Sequence, residues 1–93
     1  MTSTTDLLLG LDIGTQGAKG ALVDAHGKVA AEFYLEHECI YPQPGWAEHD
    51  MLQNWWRNPA TIIRRLLQNP GIRAEQIQAI CVSGLHPNFG PTD

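Results

Sequence analysis

Residues Leu7 to Gly20 read LLLGLDIGTQGAKG, and no other stretch restricts the fold as strongly. An apolar run over 7–13 carries a single aspartate, Asp12, near its end. A small-residue turn, 14–17 (GTQG), follows, and residues 19–24 (KGALVD) resume as a second apolar segment. Two strand-like runs separated by so short a turn fold back on each other as a β-hairpin. One carboxylate then stands near the mouth, and the backbone at the tip is nearly bare.

The remaining segments extend this hairpin. Residues 25–27 (Ala25-His26-Gly27) predict a turn, and 28–38 (KVAAEFYLEHE) a third strand with β-favouring Val29, Phe33 and Tyr34. Three strands joined by short turns imply an antiparallel meander. Residues 41–47 (YPQPGWA) hold two prolines and a glycine, which excludes a regular element. Asp50 is placed to cap a helix beginning MLQNWW. At Asn58-Pro59 either that helix kinks, or Asn58 caps a second one with Pro59 in its first turn. Ile62, Ile63, Leu66 and Leu67 define an apolar helical face opposite Arg64 and Arg65, and Asn69-Pro70-Gly71 ends it. After a short turn at 74–76, residues 77–83 (IQAICVS) predict a fourth strand. It follows a helix, so it joins the first sheet in parallel. Residues 84–93 (GLHPNFGPTD) form a Gly/Pro loop.

At 93 residues the chain is one domain at most. Its net charge is −4 with only six Lys and Arg, scattered along the sequence. Nucleic acid and anionic membranes need clustered positive charge, so neither is expected as a partner. Cys39 and Cys81 lie far apart without metal-binding spacing, which suggests reduced thiols in a cytoplasmic protein rather than a disulfide framework or a zinc site. The opening MTSTTD has no positive charge, so no signal peptide is expected, and no segment is apolar enough for a membrane span.

Several residues are candidates for chemistry. Asp12 in an apolar run calls for a hydrogen bond, an ion pair or a cation. It reads either as a magnesium-associated carboxylate beside a phosphate or as a turn-capping residue. Gly14, Gly17 and Gly20 allow close backbone approach to an anion, with Thr15 adding a hydroxyl and Lys19 a charge. Their spacing, G-x-x-G-x-x-G, fits neither the dinucleotide fingerprint nor the P-loop, and a strand follows where both motifs need a helix. An ordinary glycine-rich hairpin stays open on this evidence. Glu48, His49 and Asp50 are better read structurally than as metal ligands, with Asp50 as the cap. Trp46, Trp55 and Trp56 read as packing residues, and His26 and His37 as surface histidines. His86 lies past the end of the fourth strand, where ligands of α/β sheets gather; a solvated loop histidine is the alternative.

Three stretches in this order resemble the FGGY family of carbohydrate kinases. Residues 10–31 (GLDIGTQGAKGALVDAHGKVAA) are similar to the family's D-x-G-T hairpin and D-x-x-G turn. Residues 41–56 (YPQPGWAEHDMLQNWW) are similar to its P-x-P-G-W-x-E-x-D segment, and 77–93 (IQAICVSGLHPNFGPTD) to its sugar-contacting strand and loop. The resemblance implies an α/β ribonuclease H-like, actin-like ATPase fold, present in part. Residues 1–93 would be part of the N-terminal lobe of a two-lobed sugar kinase whose remainder is absent. It implies ATP-dependent phosphorylation of a sugar or polyol, with Mg2+ held by Asp12 through water. Thr15, Gln16, Gly17 and Lys19 would approach the nucleotide phosphates, and His86 and Pro87 would fall at the sugar. Gln16 replaces the commoner Thr or Ser, and Pro87 brings no polar side chain, so neither xylulose nor glycerol is assumed as substrate. The general-base aspartate is expected beyond residue 93, so the piece alone should be catalytically silent and prone to self-association. The full-length protein is expected in the cytoplasm, with a homodimer allowed. The alternatives are an ATP-hydrolysing actin-like or chaperone-type protein and a small non-catalytic binding domain.

Overall fold

A computed structural model describes residues 5–45 and 48–84, the side chain of Glu48 apart. Strand β1 (Leu7–Ile13) pairs antiparallel with β2 (Gly17–Asp24), which pairs antiparallel with β3 (Val29–Glu36). Two short strands, β4 (Cys39–Ile40) and β5 (Glu48–His49), then form a separate ladder. Helix α1 (Asn58–Leu67) crosses back, and β6 (Ile77–Gly84) returns parallel to β1. The main sheet runs β3-β2-β1-β6. The meander and the parallel fourth strand expected from the sequence are both present.

Alternation decides which face of the sheet is covered. Leu7, Leu9 and Leu11 of β1 are buried together with Ala18 and Leu22 of β2, and Ile62 and Leu66 of α1 lie on them. Phe33 and Leu35 of β3 pack at the margin of this cluster. Each fully buried aliphatic side chain stabilises the fold by about 1.5–3 kcal/mol. The opposite face carries no helix among the described residues. Leu8 stands there 50% exposed, whereas Ile80 and Val82, in register with Leu9 and Leu11, lie on the helix side of the sheet and yet stay 60% and 59% exposed on strand β6.

The hairpin between β2 and β3 is built by Asp24. Its carboxylate accepts the amides of His26 and Lys28, both at 2.9 Å, and Gly27 takes a positive φ of 82° to close the turn. Those amides, Lys28 foremost, hold the Asp24 carboxyl below its ordinary value.

Three expectations need amending. First, β2 begins at Gly17, two residues earlier than the apolar pattern suggested, because its pairing with β1 continues through Ile13 and Ala18. Second, the proline loop is irregular over its described residues, as expected, but two short strands that the sequence pattern does not announce flank it. Cys39 pairs with His49 and Ile40 with Glu48, so the loop is clasped at its base. Third, Trp56 is 70% exposed and packs nothing into the core, because its position on the helix faces away from the sheet.

The helix region is continuous from 51 to 67. Asp50 caps it as expected, its carboxylate accepting the Gln53 amide at 3.1 Å. Asn58 does not begin a new helix. Its amide donates to the Gln53 carbonyl, five residues back, and residues Gln53–Arg57 form a π-helical turn. Proline has no N–H to give and its ring crowds the carbonyl four residues earlier. Widening the turn ahead of Pro59 accommodates both defects, so the helix passes through the proline. At the far end, the Asn69 side chain donates to the carbonyls of Arg65 and Leu66 and closes the helix. No described helix is long and apolar enough to cross a membrane.

Candidate functional site

Asp12 occupies the open face of the sheet. It pairs in register with Lys19 on β2 and with Ser83 on β6, so three polar residues from three strands form one row. The apolar setting expected for Asp12 is not what surrounds it. Alternation turns its side chain outward and leaves it exposed, so it bears no burial cost, and no described residue pairs with its carboxylate. Lys19 lies in the same row, but its ammonium reaches sideways to Glu32 at 3.3 Å. Both side chains are more than half exposed, and such pairs contribute only about 0–1 kcal/mol. The pair does not fix Lys19 against a stronger anion.

The turn itself divides its groups between structure and solvent. The Gly14 amide donates to the Gly17 carbonyl at 2.8 Å, so it is used within the hairpin and is not free for a ligand. Thr15 and Gln16 form the exposed tip, and their amides donate to no described backbone carbonyl. Gly17 is needed for packing: a Cβ there would collide with the Tyr34 hydroxyl and stand 2.9 Å from the Leu35 carbonyl oxygen. Gly20 does not approach any ligand on the open face. It lies beneath α1, where a Cβ would collide with Ile62 and meet Leu66 at 3.1 Å. Of the three glycines grouped by sequence, Gly20 thus serves the core.

The sequence suggests a surface histidine at His37, but only 9% of it is exposed. Its backbone amide donates to the Gln16 carbonyl at 3.0 Å, and its Nε2 lies 2.7 Å from the Gly14 carbonyl. A carbonyl only accepts, so Nε2 carries the proton. The ring stands edge-to-face with His49, centroids 5.5 Å apart, and its Nδ1 is buried with no hydrogen-bond partner among the described residues. His49 in turn packs beside Trp55. Asn54 donates from Nδ2 to His49 Nδ1 at 2.9 Å and to the Glu38 carbonyl at 3.0 Å. Burial, and secondarily His37, hold the His49 imidazole below its ordinary value. The segment after the proline loop therefore backs the glycine turn through His49 and His37. One signal for this was available: the meander register sets residue 37 beside residue 16, just beyond the Gly17–Glu36 pair.

His86 and Pro87 lie outside the described residues, as does Trp46. A magnesium ion would suit what is described of Asp12, since it keeps most of its waters and needs only one or two carboxylates.

A three-stranded meander extended by a parallel strand, backed by a helix and carrying an aspartate before a glycine turn, defines the opening unit of an actin-like ATPase fold. The chain belongs to the FGGY family of carbohydrate kinases, the model of whose N-terminal domain matches residues 7–90. Over 73 residues it is 41% identical to a glycerol kinase of Haloquadratum walsbyi, covering 78% of this chain and 14% of that protein. The crystal structure of a gluconate kinase from Lactobacillus acidophilus superposes with a TM-score of 0.75 at 31% identity, over 86% of this chain and 15% of the kinase. A xylulose kinase from Rhodospirillum rubrum gives 0.75 at 32% identity, over 87% and 16%. The chain thus spans about one-seventh of the length of these relatives. This membership favours the kinase reading over the chaperone-type and small-domain alternatives.

Proposed function

We propose that this chain is the opening part of the N-terminal lobe of an ATP-dependent kinase that phosphorylates a sugar or polyol. The observation that carries the reading is the exposed Asp12, unpartnered among the described residues and in register with Lys19 and Ser83, just before an outward-facing Thr15-Gln16 tip. Family membership supplies the context, and relatives named as glycerol, gluconate and xylulose kinases support a polyhydroxylated acceptor.

In phosphoryl transfer the acceptor oxygen attacks the γ-phosphorus as the bond to the bridging oxygen of ADP breaks, and a carboxylate base takes the hydroxyl proton. Catalysis rests on placing the phosphates and neutralising their charge. In this chain Thr15, Gln16 and Gly17 would contact phosphate oxygens from the tip. Lys19 would exchange its weak contact with Glu32 for a phosphate. Asp12 would orient waters on a magnesium ion, which when bound neutralises the phosphate oxygens. His86 and Pro87 would face the acceptor. The base would come from sequence beyond residue 93, so the 93-residue chain is expected to turn over no ATP. The complete enzyme is expected in the cytoplasm.

The test is a coupled assay of the complete reading frame against glycerol, pentuloses, hexuloses and aldonates. ATP-dependent phosphorylation of at least one is expected. Asp12→Asn should raise the magnesium concentration for half-maximal rate by about 10–100-fold, as loss of a water-mediated metal contact does. An Asp12→Asn enzyme with unchanged magnesium dependence would sink the assignment.

A further inference from the structure

We propose that His37 is a positioning residue for the phosphate-binding turn, fixing the direction of its amide donors from behind. The proposal rests on reading that turn as the nucleotide site. It is carried by two contacts from one residue to two carbonyls of the turn. The His37 amide donates to Gln16 at 3.0 Å, and Nε2 donates to Gly14 at 2.7 Å, across 23 residues of sequence.

Peptide planarity turns those contacts into a constraint on the opposite side of the loop. A trans peptide points its C=O and the next residue's N–H in opposite directions. Drawing the Gly14 carbonyl toward the buried ring therefore directs the Thr15 amide away from it. Drawing the Gln16 carbonyl the same way directs the Gly17 amide away as well. Both carbonyls are held by the one residue His37, so the two N–H groups are turned away from it together, an arrangement that suits an anion. Glycine at 14 and 17 leaves this backbone soft, and an external clamp is what keeps it in one state.

The clamp is itself held. His37 is packed edge-on against His49, whose Nδ1 takes a hydrogen bond from Asn54. Asn54 is 2% exposed and bonds back to Glu38, the residue after His37. The ring therefore has little freedom to leave Gly14. Precision of donors before the ligand arrives is what phosphoryl transfer demands.

Two sets of measurements test this. In the 93-residue chain, imidazole nitrogen shifts should identify the His37 tautomer with the proton on Nε2; a proton on Nδ1 alone would overturn the proposal without any variant being made. His37→Phe keeps an aromatic ring against His49 and removes the donor. It should speed hydrogen exchange of the Gly14 amide about tenfold, the worth of one hydrogen bond, and His37→Gln should restore protection. Unchanged exchange in a folded His37→Phe chain would overturn it. In the complete enzyme, His37→Phe should raise KM for ATP about tenfold with KM for the acceptor unchanged, and His37→Gln should recover most of the loss. Equal effects on both substrates would reduce His37 to a general structural role and overturn the proposal. A wild-type enzyme that phosphorylates no acceptor would strike the kinase reading instead, and the exchange rates would still decide whether His37 holds the turn.

Discussion

Adding one methyl group at Gly20 tests how closely α1 sits on the sheet. The Cβ of Gly20→Ala would overlap Ile62 Cγ2 outright and stand 3.1 Å from Leu66 Cδ1 and 3.2 Å from Leu11 Cδ2. Carbon atoms prefer separations of roughly 3.5–4.0 Å. None of the three neighbours can yield cheaply, since Ile62 is 0%, Leu66 1% and Leu11 6% exposed. Overpacking of this kind costs about 1–3 kcal/mol. Against it stands the lower backbone entropy of alanine in the unfolded chain, which favours folding by about 0.4–1 kcal/mol. Overpacking wins, and a net loss of about 1–2 kcal/mol is expected. In a domain of this size that lowers Tm by roughly 5–15 °C. The assay is urea and thermal unfolding of the 93-residue chain at low concentration, followed by circular dichroism. Gly10→Ala is the control: Gly10 lies on the open face of β1 with nothing within 4 Å of its would-be Cβ, so it should be neutral or stabilising by about 0.4–1 kcal/mol. Ile62→Leu removes the clashing branch methyl, so the double variant should be more stable than the two single losses add up to. A Gly20→Ala chain as stable as the wild type, or a Gly10→Ala chain equally damaged, would refute the packing argument.

Two further outcomes are expected. Because the folded chain holds the His49 imidazole below its ordinary value, the unfolded chain takes up that proton first as pH falls past about 6.5. Stability should then fall as pH drops below that point, and His49→Gln should flatten the profile; equal urea midpoints at about pH 7.5 and 5.5 would contradict the linkage. Exposed apolar side chains on both sides of the sheet, Leu8 on the open face and Ile80 and Val82 on the helix side of β6, together with the β6 edge should drive self-association of the 93-residue chain. Light scattering should therefore find oligomers that Ile80→Lys and Val82→Lys reduce, and a wild-type monomer at high concentration would count against it.

Much of the sheet was legible because strand signals are local. The limits of β1 follow from leucines at every second position, and the Asp50 cap from an aspartate preceding a helical pattern. What escaped the sequence was set by register and by distant neighbours. Gly17 and Gly20 are chemically identical, yet one meets Tyr34 and the other meets α1, because an odd spacing puts them on opposite faces of β2. His37 sits between two glutamates and carries every local sign of exposure. Its burial comes from β4, β5 and Asn54, which return to it from later in the chain. The choice at Asn58-Pro59 stayed open because the response to a proline depends on what each side of the helix has to reach.

The π-helical turn at Gln53–Arg57 has a consequence for phase. Asn54, Asn58, Ile62 and Leu66 are all buried, each four residues after the last. In a regular α-helix a step of four overshoots one turn by roughly 40°, so three steps would rotate Asn54 roughly 120° away from Leu66. The wider turn takes in an extra residue and winds part of that rotation back. Two jobs thereby share one stripe: the leading turn reaches His49, and the trailing turns seal the leucines of the sheet. Removing a single residue from 55–57 would leave the trailing stripe docked and swing Asn54 out of line. Such a chain would keep its core while the histidines lost their brace.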